Sequence, residues 1–163
     1  MTQPHDQPGV FTAQEMLQHW KGHRALTRRT IERFPDDQLF SFTPGAPLRT
    51  FGDMMLETVR MIAPSLHGTR TGEWNFKLAD TSAIQDKAAL LAAWDEADEL
   101  IATTWPHLTR EALRGVVPPL PHLRALPYLV DNEIHHRAQG FIYLRLLGTE
   151  PPAFYEREAT SPA

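Results

Sequence analysis

The residues whose types and spacing suggest chemistry lie in the run Asp131–Gln139. This run reads Asp-Asn-Glu-Ile-His-His-Arg-Ala-Gln. With the periodicity of an α-helix, Asn132 and His136 share one face, whereas His135 points some way around the helix from His136. The two adjacent histidines therefore do not face one ion side by side, and we expect them to have different roles.

The stripe that contains His136 continues along the predicted helix. Its members are Leu129, Asn132, His136, Gln139 and Tyr143, while Val130, Ile134 and Phe141 lie nearly opposite. A helix that is apolar on one side and polar-aromatic on the other predicts one core face and one cavity or interface face. Gln139 and Tyr143 are interpreted first as packing or network residues and second as residues that orient a ligand.

Composition limits the chemistry that these residues can perform. The chain has 163 residues, 42% of them hydrophobic and 22% charged, which is typical of one globular domain. It has no cysteine, so any metal would bind nitrogen and oxygen. The net charge is -4 and the basic residues are scattered, which predicts no nucleic-acid partner.

The first residues, MTQPHDQPGVF, lack the basic and apolar segments of a secretory signal. No window of the sequence has the apolar length that spans a bilayer. We therefore expect a cytoplasmic protein without a membrane partner.

Helices must position the candidate residues, and cap signals indicate where the first two begin. Thr12 and Glu15 have the spacing of a capping box, and helix one is predicted to end near Pro35. The segment 36–49 is rich in proline and glycine and is predicted to be a loop. Thr50 is predicted to cap helix two, which Pro64 and Gly68 weaken at its end.

The second half of the chain predicts two more long helices. After a loop over 67–81, Ser82 and Gln85 form another capping-box pair, and helix three is predicted to reach Pro106. Between 106 and 121 the prolines allow either a helical turn near 109–113 or an extended piece through 116–117. The last helix is predicted to start at Leu123 or Tyr128 and to end at Leu147, before Gly148.

Four helices, no convincing alternating strand and no internal repeat predict an all-α four-helix bundle. The two long connections, 36–49 and 68–81, leave room for a topology other than simple up-down. The acidic run of helix three is interpreted as a solvated face, and its members are Asp95, Glu96, Asp98 and Glu99.

Three segments carry a resemblance to a known family. The run from Asp131 to Pro152 resembles the C-terminal signature of the DinB-like (damage-inducible B, YfiT-like) family, roughly His-x-x-x-His-Arg-Gly-Gln, an apolar stretch and Gly-x-x-Pro. Phe51–Glu57 is similar to the second-helix segment of that family, and Gly72-Glu73-Trp74 resembles a loop of some members. The resemblance implies a single DinB-type four-helix bundle over residues 1–163.

In the family, three histidines hold a divalent metal, usually discussed as zinc or nickel, and leave positions open for water or substrate. When the residues are matched one by one, His136 is the one ligand histidine that is retained. Asn132 replaces the middle histidine and Glu57 replaces the first. Glutamate can ligate through oxygen, but an asparagine carbonyl suits calcium or magnesium better than zinc. We therefore expect the metal site Glu57, Asn132 and His136 to bind metal weakly or not at all.

Three functions follow from the resemblance and the changed ligands. The first is a weak or repurposed enzyme or a small-molecule binder, similar to the family's metal-dependent thiol S-transferases, whose thiol cofactor stays unknown. Tentative ligand contacts are Trp74, Phe76, Gln139 and Tyr143. The second is a non-catalytic, stress-related homodimer that buries apolar helix faces.

The third function is a metal-free acid–base pair of Glu57 and His136. The structural alternative is a hydrogen-bonded core His136, or a buried Glu57–His136 ion pair whose burial raises one pKa and lowers the other. Glu133 with His136 also has the spacing used in di-iron bundles, although a partner pair on another helix is not evident. Arg137 is interpreted as a salt-bridge partner rather than a substrate clamp.

Overall fold

A computed structural model describes residues 12–75 and 77–158. Four long helices build the protein: α1 (Ala13–Arg33), α2 (Phe51–Thr71), α3 (Lys87–Thr104) and α5 (Ala125–Leu146). Between α3 and α5 lie a 3-10 helix (Trp105–His107), the short α4 (Arg110–Leu113) and a hairpin of β1 (Val116–Val117) and β2 (Leu120–Arg124). The predicted four-helix bundle is confirmed, with the hairpin as an addition.

The order of the helices around the bundle differs from their order in the chain. Helix α1 packs against α3 and α5, and α2 packs against the same two helices. Helices α1 and α2 are therefore diagonal to each other, and the loop between them crosses one end of the bundle. The pairing of side chains shows that α1 and α5 run in one direction and α2 and α3 in the other.

Two apolar clusters fill the bundle, one toward each end. The lower cluster includes Trp20, Ile62, Ile101 and Leu129. The upper cluster comprises Ile31, Phe34, Leu39, Phe51, Met54, Met55, Leu90, Trp94, Tyr143 and Leu144. The middle of α1, α2 and α5 carries buried polar side chains instead, and this polar layer positions the candidate site.

Local cap chemistry explains where the helices begin and end. The predicted capping box of Thr12 and Glu15 is present, and Thr50 caps α2 by accepting from the backbone of Asp53. Helices α2 and α5 end before Gly72 and Gly148, whose positive φ angles of 77° and 74° glycine adopts without steric cost.

Two predicted boundaries are wrong. Helix α2 does not end at 66, before the predicted loop, but continues through Gly68 to Thr71, because Gly68 and Thr69 are buried and packing outweighs the low helix propensity of glycine. Helix α3 does not begin at the Ser82 pair. Its cap is Asp86, which accepts from the Ala89 amide at 2.8 Å.

The region 106–121 contains both of the predicted alternatives, a helical turn at Arg110–Leu113 and an extended strand at Val116–Val117. The strand pairs with β2 in a short antiparallel hairpin. Helix α5 starts at Ala125, between the two predicted starts, and Pro127 lies in its first turn. Within the described ranges, no helix combines the length and apolarity that a membrane span requires.

Candidate functional site

Helices α2 and α5 bring two of the predicted site residues into contact. His136 Nε2 lies 3.1 Å from Glu57 Oε1. The imidazole is buried, while 31% of the Glu57 side chain remains exposed. The pair therefore joins the interior of the bundle to its surface.

A third residue, Arg49, completes this group. Its Nη1 donates to Glu57 Oε2 at 2.5 Å, so each carboxylate oxygen has its own partner. Arg49 precedes the α2 cap, about two helical turns before Glu57, and its long side chain reaches along the helix to the carboxylate. With 48% of its side chain exposed, the guanidinium closes the pair on the solvent side.

Neighbouring charges, hydrogen bonds and burial determine the pKa values of Glu57 and His136. Burial alone would raise the pKa of Glu57, but hydrogen bonds from Arg49 and His136, together with their charges, hold its pKa below the usual value. Burial lowers the pKa of His136 despite the hydrogen bond to Glu57, and Arg49 and His135 add to the decrease. The expected opposite shifts are thus not found, because both pKa values fall.

These shifts determine the tautomer of His136. Near neutral pH Glu57 is ionised and can only accept hydrogen bonds, so the neutral imidazole must donate from Nε2. Nδ1 is then a bare acceptor. It is buried and has no hydrogen-bond partner among the described residues.

The other residues of the α5 stripe surround this group only in part. The Asn132 amide approaches Met61 Sδ at 3.8 Å, and Gln139 donates to His135 at 2.9 Å on the exposed side. Tyr143 is buried with its ring edge-on to Phe42, and its hydroxyl has no partner within the described ranges. Burial raises the pKa of Tyr143, and the charge of Arg49 opposes this shift.

Trp74 lies elsewhere. A Cβ at Gly68 would come within 2.5 Å of the Trp74 ring, so this ring packs on the last turns of α2, about 16 Å along the helix axis from Glu57. The structure does not bring Trp74 to the Glu57–His136 pair. Phe76 lies outside the described residues.

The other side of α5 carries a second polar group that faces α1. Glu133 is fully buried, and Thr27 Oγ1 donates to its Oε1 at 2.6 Å. Arg137 Nη1 and Arg24 Nη1 lie 3.7 and 3.8 Å from its two oxygens. Arg137 also donates to His23 Nδ1 at 2.9 Å. The predicted salt-bridge role of Arg137 agrees with these contacts.

This second group extends to the seam between α1 and α3. Arg24 lies over the Trp94 ring, 3.7 Å from its centroid, and forms an ion pair with Asp98. An open groove of about 560 Å³ follows this seam, where Arg28 also pairs with Asp95. Asp98 is therefore an exception in the acidic run that was predicted to be solvated.

Burial and neighbouring charges change the pKa values of Glu133 and His23 in the second group. Desolvation raises the pKa of Glu133, against the effects of Arg24, Thr27 and Arg137. Desolvation, together with the charges of Arg137 and Arg157, lowers the pKa of His23 to about 3. The group is enclosed by α1, α3 and α5, which favours a structural role.

Comparison with known proteins then decides the family. The sequence model of the DinB family matches residues 1–163. The chain belongs to the DinB family. A solved DinB-like protein from Bacillus subtilis (YjoA) matches this DinB chain with 19% identity and a TM-score of 0.68, covering 88% of this chain and 99% of that chain. At this identity the similarity shows the shared fold. No curated protein matches.

The donors at the ligand positions of this DinB protein do not fit a zinc or nickel centre. Both oxygens of Glu57 are engaged, and His136 Nε2 carries the proton donated to Glu57. Asn132 offers only a neutral amide. Among the described residues, no group of three histidine, cysteine, aspartate or glutamate side chains is arranged to hold a metal.

Two features of this DinB protein were not predicted from the sequence. The sequence placed Arg49 in a loop and gave it no role. Its position about two helical turns before Glu57 could have indicated a contact between the two side chains. Glu133 was considered only as a partner of His136. Its contacts to α1 could not be read from α5 alone, because they depend on which helix packs on each face.

Proposed function

We propose that this DinB protein uses the Glu57–His136 pair as a metal-independent polar site for a small molecule, as a binder or as a weak, repurposed enzyme. The observation that carries the proposal is the 3.1 Å hydrogen bond between the two side chains, which leaves His136 Nδ1 without a partner among the described residues. An ionised carboxylate that orients a neutral imidazole is the arrangement that general-base catalysis uses.

The family resemblance suggests the reaction class. In thiol S-transfer, a base removes the thiol proton and the sulfur attacks an electrophilic carbon as the leaving group departs. Here His136 Nδ1 would take the proton after a local opening of the bundle, because this atom is buried, and Glu57 would stabilise the resulting imidazolium. The lowered pKa of His136 keeps it in the base form near neutral pH.

A thiol-transfer assay tests the proposal without interference from the protein, because the chain has no cysteine. Glutathione and 1-chloro-2,4-dinitrobenzene serve as probes, with chelator present or with added zinc or nickel. We expect thioether formation above the uncatalysed rate, unchanged by chelator and reduced about tenfold or more in His136→Ala. Arg145→Ala, which changes an exposed residue of the same helix, should keep the wild-type rate. Activity that requires added metal would contradict the proposal.

The second candidate is a non-catalytic homodimer, favoured by exposed apolar side chains on α5. Ile142 and Leu146 are one helical turn apart and are 57% and 60% exposed. Burying such a stripe against a second copy is a common basis of dimerisation. Light scattering over a concentration series tests this candidate, and a monomer at every concentration would remove it.

A stress-related role is the part of the second candidate that rests on the family label. We expect the amount of this protein to rise after cells are treated with a DNA-damaging agent. Immunoblotting of treated and untreated cultures measures this change, and equal amounts in both would count against the role.

A further inference from the structure

Arg49 places a permanent positive charge beside the position where the family holds its metal. Its guanidinium binds Glu57 Oε2 at 2.5 Å. Its charge also influences His136 and Tyr143, which lie two turns apart on α5. The Arg49 guanidinium thus binds Glu57 directly, and its charge reaches the two neighbouring side chains of α5.

We propose that the Arg49 guanidinium takes the place of a divalent cation in this site and keeps zinc and nickel out. The inference rests on the proposed function, because it assumes that Glu57 and His136 act without metal. It goes further by assigning the exclusion of metal to Arg49. The changes at the ligand positions, Glu57 and Asn132, do not exclude metal by themselves.

Geometry provides the first argument for this role. A metal ion could bind Glu57 only by competing with Arg49 for one oxygen and with His136 for the other. It would also have to displace the proton on His136 Nε2. The chain therefore already satisfies the donor atoms that a metal would need.

Electrostatics provides the second argument. A guanidinium cannot lose its charge in a protein, so it repels a divalent ion at every accessible pH. Arg49 is half exposed, and solvent weakens this repulsion without removing it. Removing the charge while retaining Glu57 and His136 should therefore raise metal affinity by a measurable factor.

The exposure of Arg49 makes a clean variant feasible. Arg49→Met keeps a long side chain and removes the charge, and Arg49→Gln serves as a second neutral variant. Arg145→Met is the matched control, because Arg145 is an exposed residue near the end of α5 whose ion pair with Glu150 is long, at 3.7 Å. Thermal melts followed by circular dichroism confirm that each variant is folded.

The experiment is isothermal titration of chelator-stripped protein with zinc chloride and, separately, nickel chloride. We expect weak binding by wild type and Arg145→Met, and affinity at least about tenfold higher in Arg49→Met and Arg49→Gln. Adding His136→Ala to Arg49→Met should abolish the gain, because histidines on the surface do not depend on Arg49.

The possible outcomes separate the inference from the proposed function. Equal affinities in the Arg49 variants and Arg145→Met, with weak binding throughout, would overturn the role of Arg49 and leave the metal-independent site intact. A gain that survives His136→Ala would also overturn it, since the metal would then bind elsewhere. Tight binding by wild type that His136→Ala removes would overturn both.

Discussion

Glu133 and His136 lie three residues apart on α5, yet they face different helices. His136 contacts α2 through Glu57, whereas Glu133 contacts α1 through Thr27 and Arg24. Their spacing on the helix resembles a metal-binding pair, but their contacts divide the polar layer into an accessible half and an enclosed half. The role of each residue therefore follows from its neighbours rather than from its spacing.

In the enclosed half, we predict that Glu133→Gln destabilises the protein by about 3 kcal/mol or more at pH 7. The two buried guanidinium groups of Arg24 and Arg137 lie within 4 Å of Glu133 and favour its ionised form against the effect of burial, and glutamine cannot carry that charge. Urea unfolding measures the change. Glu99→Gln, at an exposed position of α3, should stay within about 0.5 kcal/mol of wild type. Equal stability of Glu133→Gln and wild type would contradict this assignment of charge.

The pKa of His23 predicts a pH dependence of stability. Its folded pKa of about 3 lies below the ordinary histidine value of 6.5, so the unfolded chain takes up the proton first as the pH falls. The free energy of unfolding should therefore decrease from pH 6.5 downward. His23→Asn retains an acceptor for Arg137 but cannot titrate, and its unfolding free energy should change less between pH 6.5 and 5. Equal slopes for wild type and variant would show that His23 does not contribute.

At the scale of elements, the approach of α2 to α5 depends on Gly140. A Cβ at this position would lie 2.4 Å from the Phe51 ring, and the ring also stacks on Phe34. The absence of a side chain lets the two helices come close enough for the Glu57–His136 hydrogen bond. Gly140 stands between His136 and Tyr143 on α5, so the helix contact and the site share the same face.

We predict that Gly140→Ala destabilises the protein by about 1–3 kcal/mol through overpacking, although alanine is the better helix former. Chemical unfolding measures the loss. Ala138→Gly, on the exposed side of the same helix, isolates helix propensity and should cost about 1 kcal/mol. A stabilised Gly140→Ala variant would mean that α2 and α5 are farther apart than described.

The elements themselves were largely predictable, because their signals are local. The Thr12 capping box, the Thr50 cap and the Gly148 stop all lie where the sequence places them. Gly68 misled the prediction of the α2 end, because its burial beneath the Trp74 ring, a tertiary effect, outweighs the low helix propensity of glycine. The Ser82 pair misled it because Asp86 is a competing cap four residues later.

At the scale of the whole molecule, the sequence favoured a bundle but not the arrangement of its helices. Helices α1 and α2 are diagonal, and this arrangement brings α1 beside α5, where Arg137 meets His23 and Thr27. No periodicity within one helix contains that information. The Glu57–His136 contact was predicted because the family resemblance places these two positions together. The polar group on the opposite face of α5 was missed because it depends on which helix packs there.

The central claim is that the Glu57–His136 site works without a metal. The measurement that tests it most directly is elemental analysis of protein purified without chelator, alongside His136→Ala. We predict less than about one-tenth of a metal ion per chain in both proteins, because the donors at the ligand positions already hold a guanidinium and a proton. Nearly one zinc or nickel ion per wild-type chain, absent from His136→Ala, would contradict the claim.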